Sequence, residues 1–388
     1  RQINVNGSGN QTYGNATIND WTLTATFTGD QKGVTGEAIV NGDQLDNSTD
    51  ILSIKSGSLY ADNKGTHTTA DAKEKPYTDA VNMENVGFKN GAGVNYEIVN
   101  TRGDLKVDKA NLTIDTDNKT TTYGTVDKAF TSDIKGLTNG DDTSIVNLTY
   151  ATNGYLSDTK TNDVGDYDIT TSVNELKNYD VTTNTANLHI KQANLTIQIG
   201  NASTVYGTKF DESQYDYNYA SGITNGDTEE TLDAAFGGMN YTNDAALDGT
   251  DGKWTKKVGN YDLTGEGANS LTNYNVTYLK GTATVTPYTI TEEEIVNPDG
   301  SPLYTTKYGQ KDPFGKATFT GVNGDGTLLL DITDSSALTG AADGRITENV
   351  GDNIYDTTVS LESLKNKNYQ FADGATSKTF ENTASVTP

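Results

Sequence analysis

Four short motifs recur in a fixed order along this chain, and that recurrence limits its fold more than any other feature. A Tyr-Gly pair stands at Tyr13-Gly14, Tyr123-Gly124, Tyr206-Gly207 and Tyr308-Gly309. An Asn-Gly-Asp turn signal follows at Asn41-Gly42-Asp43, Asn139-Gly140-Asp141, Asn225-Gly226-Asp227 and Asn323-Gly324-Asp325. Asn-Tyr comes next, at Asn95-Tyr96, Asn178-Tyr179, Asn273-Tyr274 and Asn368-Tyr369. The opening Lys109-Ala110-Asn111-Leu112-Thr113-Ile114 returns as Gln192-Ala193-Asn194-Leu195-Thr196-Ile197, and more weakly as Pro287-Tyr288-Thr289-Ile290 and Ile3-Asn4-Val5. Such internal repetition means an array of similar small units, not one large core. Boundaries near Asp108, Lys191 and Thr286 give modules 1–108, 109–191, 192–286 and 287–388. Their unequal lengths are read as loop insertions, which surface loops tolerate. The polar stretch around Gly65–Asp79 is expected to be one such long loop.

Inside a repeat the pattern is that of strands. Ala110, Leu112 and Ile114 alternate with polar residues, as a half-buried strand requires. Asn178–Val181 and Ala186–Ile190 do the same, and their spacing predicts a terminal hairpin with a short polar turn. Thr228–Phe236 is the one stretch expected to form a turn or two of helix. Asn-Gly-Asp supplies residues that accept positive φ. Leu105–Leu112 crosses a boundary without any Gly/Ser-rich or Pro-rich linker, which predicts stiff joints. The fold class expected is all-β: four tandem small modules, each a β-sandwich (Ig-like) or β-grasp-like unit, in an elongated rod.

Composition narrows the function. The net charge of −25 repels phosphate backbones and anionic lipid, which argues against nucleic-acid binding. No apolar run approaches the ~18 residues that span a bilayer, and Leu328-Leu329-Leu330 is interrupted by Asp331. The absence of Cys removes disulfides, thiol nucleophiles and Cys-type zinc sites. With only His67 and His189, a Ser-His-Asp or His-rich metal site is not expected. No cofactor is expected, and the chain is not expected to be an enzyme. Arg1-Gln2-Ile3 shows no targeting pattern, and the chain is read as a monomeric fragment of a larger one.

The motifs together resemble the MBG modules (YGX type) of bacterial surface adhesins. The matching residues are the Ala-Asn-Leu-Thr-Ile start, Tyr-Gly, Asn-Gly-Asp, Asn-Tyr, and a Val-Gly-x-Tyr element at Val164-Gly165-Asp166-Tyr167 and Val258-Gly259-Asn260-Tyr261. The fourth repeat alters that element to Val350-Gly351-Asp352-Asn353-Ile354-Tyr355, and the first has only Val86-Gly87-Phe88. The resemblance implies a small β-rich module in the extended region between cell anchor and tip, on the bacterial cell surface, with no catalytic residues. Val-Gly-x-Tyr is similar to the tyrosine corner of Ig-like sandwiches.

Three sets of residues are candidates for direct recognition or ion binding. Arg102-Gly103-Asp104 matches an integrin-type tripeptide, expected at an exposed hairpin tip before the last strand. Tyr215, Tyr217 and Tyr219 alternate, so one strand face would carry three rings able to stack on a sugar or to fill a core. Asp115 with Asp117, Asp141 with Asp142, Asp248 with Asp251, and Asp299 could attract Ca²⁺, and Asp108 beside Asp115 places one such cluster at a joint, but none has the spacing of a calcium loop. Trp21 and Trp254 are read as core or joint residues. The partners these features would serve are glycans or proteins of a host or neighbouring cell surface. The main reading is the stalk of an adhesin. Direct adhesion to glycan, mucin or matrix protein is the alternative, with homotypic cell–cell association a third.

Overall fold

The computed structural model describes residues 1–15, 18–28, 37–40, 42–45, 52–54, 71–83, 86–296, 305–309, 316–333 and 351–388. Asn41, Asp299, Val350, residues 65–70 and the Trp21 side chain lie outside what it describes. The chain divides into two compact units, Arg1–Lys191 and Gln192–Pro388. Both are built of strands, and among the described residues no helix is long and apolar enough to cross a membrane.

The first unit opens with β1 (Gln2–Thr12), β2 (Ile18–Phe27), β3 (Leu52–Ile54), β4 (Val81–Met83) and β5 (Glu97–Asp108). The second repeat follows as β6 (Ala110–Thr116), β7 (Lys119–Thr122), β8 (Ser132–Lys135), β9 (Leu148–Thr152), β10 (Gly165–Val173), β11 (Tyr179–Thr183) and β12 (Ala186–Lys191). Its strands form two sheets, ordered β7-β12-β10-β9 and β11-β6-β8. Alternation decides which side chains go inside. Leu112 and Ile114 of β6, Ile169 of β10, and Leu188 and Ile190 of β12 are fully buried, while their polar neighbours face water. Each such burial is worth about 1.5–3 kcal/mol. The sheets meet at a 2.7 Å bond between the buried hydroxyls of Thr116 (β6) and Thr171 (β10). This is a two-sheet sandwich, which settles the choice against the β-grasp for this repeat.

In the second unit, β13 (Ala193–Ile199), β14 (Ala202–Val205), β15 (Tyr217–Ser221), β16 (Met239–Asn243), β17 (Gly259–Gly267), β18 (Tyr274–Leu279) and β19 (Gly281–Thr286) repeat the same plan. Their sheets run β15-β13-β18 and β14-β19-β17-β16. The expected short helix is α1 (Glu229–Phe236), begun by a Thr228/Thr231 capping box and ended at Gly237 with φ 69°. The remaining strands are β20 (Tyr288–Thr289), β21 (Ile295–Val296), β22 (Thr305–Lys307), β23 (Lys316–Gly321), β24 (Gly326–Thr333), β25 (Gly351–Ser360), β26 (Tyr369–Gln370) and β27 (Ser377–Thr387). Here the large sheet has six strands, ordered β21-β23-β24-β25-β27-β22.

The expected terminal hairpin is absent. β11 lies parallel to β6, whereas β12 lies antiparallel to β10 and parallel to β7. The two stretches therefore continue in one direction and change sheets at Asn184-Thr185. The reason is the entry strand: β6 and β7 separate in the same way at Asp117-Asn118, and parallel neighbours must part together to keep their ladders. In the first repeat neither strand breaks, and β1 pairs in parallel with β5 over its whole length. In every repeat the residue before Tyr-Gly lies opposite the last strand's final residue: Thr12↔Asp108, Thr122↔Lys191, Val205↔Thr286 and Lys307↔Thr387.

The described part of the expected long loop also differs from a free loop. Lys73, Tyr77 and Ala80 donate backbone N–H groups to the carbonyls of Val107, Leu105 and Gly103, so the segment lies along β5, and Ala72 and Ala80 are buried. The tyrosine corners are present. The Tyr167 hydroxyl donates to the Asp163 carbonyl at 2.8 Å and Tyr261 to Lys257 at 2.7 Å. Leu188→Ala, which empties a fully buried site between the two sheets, is expected to cost about 2–5 kcal/mol in chemical denaturation. A loss below about 1 kcal/mol would contradict the sandwich core.

Candidate functional site

The recurring motifs converge in space. Asn139-Gly140, Asn225-Gly226 and Asn323-Gly324 all have positive φ, between 56° and 83°. That backbone makes the tight turn favoured by Asn-Gly. It is closed by Asp141 N–H to Thr138 O, Asp227 to Thr224 and Asp325 to Val322, and in the first repeat by Asp43 to Val40. Each Asp then accepts the hydroxyl of the Asn-Tyr tyrosine of its own repeat: Tyr96–Asp43 at 2.9 Å, Tyr179–Asp141, Tyr274–Asp227 and Tyr369–Asp325 each at 2.7 Å. In three repeats the same hydroxyl oxygen also accepts the N–H that opens the turn, from Val40, Thr138 and Thr224. Two motifs far apart in sequence are thus one lock.

Within each unit that lock receives a second tyrosine from the repeat before it. The Tyr13 hydroxyl donates to Asp141 Oδ2 at 2.9 Å, and Tyr206 donates to Asp325 Oδ2 at 3.0 Å. The rings meet edge to face, Tyr13 on Tyr179 at 5.5 Å and Tyr206 on Tyr369 at 5.6 Å. Both incoming tyrosines sit in turns where the next residue, Gly14 or Gly207, has φ 80°. Their N–H groups are held by the carbonyls of Asp108 and Thr286, the ends of β5 and β19. The Asn of Asn-Tyr also reaches across: Asn178 Oδ1 accepts Ala72 N–H at 2.9 Å, and Asn368 Oδ1 accepts Val258 N–H at 3.1 Å. Asn323 grips the Trp254-Thr255 backbone through three further bonds. An apolar cluster containing Tyr13, Ala72, Leu105 and Val107 from one repeat and Ala110, Leu112 and Tyr179 from the next continues the core through the joint.

Electrostatics follow from this packing. Burial, with the neighbouring carboxylate adding to it, holds the Tyr179 and Tyr369 hydroxyls well above the ordinary tyrosine range. Burial raises Tyr13 and Tyr206 as well.

The sequence-predicted site residues are placed elsewhere. Arg102-Gly103-Asp104 is not at a hairpin tip. It lies inside β5, opposite Asn6, Gly7 and Ser8, with Gly103 buried under Ala80 and with Asp104 Oδ1 accepting Asp79 N–H. The tip was expected by analogy with a hairpin that the parallel pairing excludes. Tyr217 and Tyr219 do share a face of β15, but both hydroxyls donate to Asp233 Oδ1 of α1, at 2.6 and 2.7 Å. Burial with that carboxylate pushes Tyr217 up to about 12. Tyr215 precedes the strand and accepts an Asn243 N–H.

Among the described residues no group of three or more acidic or His side chains gathers where it could hold a metal ion. Asp115 pairs with Lys135, Asp117 accepts Thr131, Asp142 caps Ser144 N–H, Asp248 accepts Thr250 N–H, and Asp108 pairs with Lys106. Trp254 is a joint residue through its backbone. What the motif reading missed is that Tyr-Gly belongs to one side of a joint and Asn-Gly-Asp with Asn-Tyr to the other.

Comparison with known proteins agrees with the motif resemblance over one repeat. The family model of the MBG domain (YGX type) matches residues 112–189. No curated protein matches the chain. Among solved structures, the chain is similar to Drosophila N-cadherin EC1-4, at 14% identity and TM-score 0.21, over 74% of this chain and 86% of that one. It is also similar to sidekick-1 immunoglobulin domains 1-5, at 10% identity and TM-score 0.22, over 98% of this chain and 78% of that one.

Two measurements test the joint. A Cβ on Gly207 would lie 2.8 Å from Val322 and 3.1 Å from the Asn323 nitrogen, whereas a Cβ on Gly309, at nearly the same φ, meets nothing within 4 Å among the described residues. Gly207→Ala is therefore expected to destabilise the second unit by about 1–3 kcal/mol more than Gly309→Ala, the excess being overpacking; equal losses would show that the joint does not press on the turn. For pH, the joint tyrosines are neutral in the fold and their folded-state pKa values are raised. Their contribution to stability is present below pH of about 10 and is lost as pH rises beyond it. Denaturation midpoints should hold between about pH 7 and 9 and fall above about 10, with a late tyrosinate absorbance step that coincides with unfolding.

Proposed function

We propose that this chain, whose residues 112–189 match an MBG domain, is the stalk or repeat region of a bacterial cell-surface adhesin. In this reading it is a run of four small β modules that projects a distal binding domain away from the cell. It performs no catalysis and uses no cofactor. The observation that carries the reading is the joint. Within each unit, the motifs that recur along the chain are spent on locking one repeat to the next. An array that must resist bending and pulling needs that arrangement. Like-charge repulsion from the −25 surface would keep neighbouring stalks apart.

A second reading, direct adhesion, has one feature in its favour. An open groove of about 590 Å³ runs beside β9, lined by Phe130, Tyr150 and Tyr155 with the exposed Leu156 and a Lys128–Asp158 pair. The intact chain should be tested against panels of glycans, mucin and matrix proteins. The stalk reading expects no binding above that of an unrelated acidic protein, and no turnover of polysaccharides. Specific binding that is lost in Tyr155→Ala would replace it with direct adhesion.

A further inference from the structure

Each internal joint has a key, the Tyr-Gly turn, and a socket, the Asn-Gly-Asp turn with its Asn-Tyr tyrosine. Besides the two joints within the units, the described residues include a Tyr308-Gly309 key and a Gly42-Asp43-Tyr96 socket whose faces are open. The key is Tyr308-Gly309. It stands on the same scaffold as the two internal keys, since Lys307 lies opposite Thr387 as Thr12 does Asp108 and Val205 does Thr286. Gly309 has φ 79°, against 80° at Gly14 and Gly207. Yet Tyr308 is 56% exposed where Tyr13 and Tyr206 are 2% and 3%. At the internal keys a Cβ on the glycine would strike Thr138 at 2.2 Å or Val322 at 2.8 Å; at Gly309 it meets nothing among the described residues.

The socket is Gly42-Asp43 with Tyr96. Tyr96 already donates to Asp43 Oδ2 at 2.9 Å, and Phe88 stacks behind it at 4.5 Å. Gly42 has φ 76°, matching 75° at Gly324. Gly324 is covered by the Asp251 carbonyl at 2.8 Å, while Gly42 has nothing within 4 Å among the described residues. Beside the socket, Val94 is 92% exposed. Its counterpart Lys177, which also precedes the Asn-Tyr pair, makes a 2.8 Å ion pair to Asp71 across the first unit's joint.

We infer that the Tyr308-Gly309 key of one copy of this chain docks into the Gly42-Asp43-Tyr96 socket of a second copy, head to tail. The Tyr308 hydroxyl donates to Asp43 beside the Tyr96 hydroxyl, and the two rings meet edge to face as in the internal joints. Key and socket are different patches, so the contact is heterologous: it joins copies head to tail, in open chains or, where the rotation closes, in rings. A single joint is a small interface, and without a covalent tether it belongs to the weak class, with association on the order of 0.1–1 mM. The inference needs only the joint geometry and is independent of whether the chain serves as a stalk.

The test is sedimentation velocity of the intact chain from about 0.01 to 1 mM in about 0.15 M salt, where surface repulsion is screened. The expected result is a sedimentation coefficient that rises with concentration. Tyr308→Ala, at an exposed position, and Asp43→Ala should each remain monomeric. An equal mixture of the two variants should form dimers and nothing longer, because each retains one competent end. Val94→Asp offers a socket-side change at an exposed position that leaves the Asp43–Tyr96 lock intact; it should weaken association about tenfold. A monomer at every concentration overturns the inference, as does association that survives Tyr308→Ala and Val94→Asp, or variant mixtures that grow beyond the dimer.

Discussion

A carboxylate that accepts two tyrosine hydroxyls is the interaction on which the joint inside each unit depends. Asp141 and Asp325 each take one tyrosine from their own repeat and one from the repeat before. The first bond fixes the turn that presents the carboxylate; the second ties the neighbouring repeat to it. Hydrogen bonds to a charged acceptor are worth about 1.5–3 kcal/mol each, more than a neutral pair. They also have direction, which burial alone does not supply. The apolar cluster around Tyr13, Leu105 and Tyr179 contributes area, while the shared carboxylate sets the register in which that area can be buried.

The joint is positioned by an unusual strand arrangement. Entry and exit strands of a repeat run parallel, side by side; in the later repeats they change sheets together, and in the first they stay in one sheet. The Tyr-Gly turn therefore always emerges beside the last residue of the repeat, as the Thr12–Asp108 and Val205–Thr286 pairings show. The next repeat begins after a single residue, Lys109 or Pro287. Key and covalent connection leave the same end of the module, so two attachments a few ångströms apart resist rotation where one would swivel.

The repeats are not equally regular. The second and third share one strand order in both sheets, whereas the fourth merges six strands into one sheet and the first runs its long strands unbroken. What all of them keep is the Asp–Tyr lock and the parallel pairing before Tyr-Gly. The parts that form joints are held constant, and the walls of the modules vary.

Much of this was legible in the residues. Alternation in Ala110–Ile114 and Ala186–Ile190 marked buried strand faces, Asn-Gly marked positive-φ turns, Val-Gly-x-Tyr marked the tyrosine corners, and Thr228–Phe236 marked the helix. These are local consequences of side-chain shape and backbone freedom, which a sequence states directly. Which strand lies beside which was decided only by tertiary structure. The spacing of Asn178 and Ala186 suits a hairpin as well as a sheet change, and only the neighbouring β6 and β7, some seventy residues earlier by the pairing of Tyr179 with Ala110 and Leu188 with Lys119, select the latter. In the first repeat the parallel partner β1 keeps the exit strand unbroken, which puts Arg102-Gly103-Asp104 inside it. The joint was likewise beyond sequence reading: repetition announced that Tyr-Gly, Asn-Gly-Asp and Asn-Tyr matter, but a hydroxyl and a carboxylate from different repeats become partners only when folding brings them within 3.0 Å, and no local preference encodes that meeting.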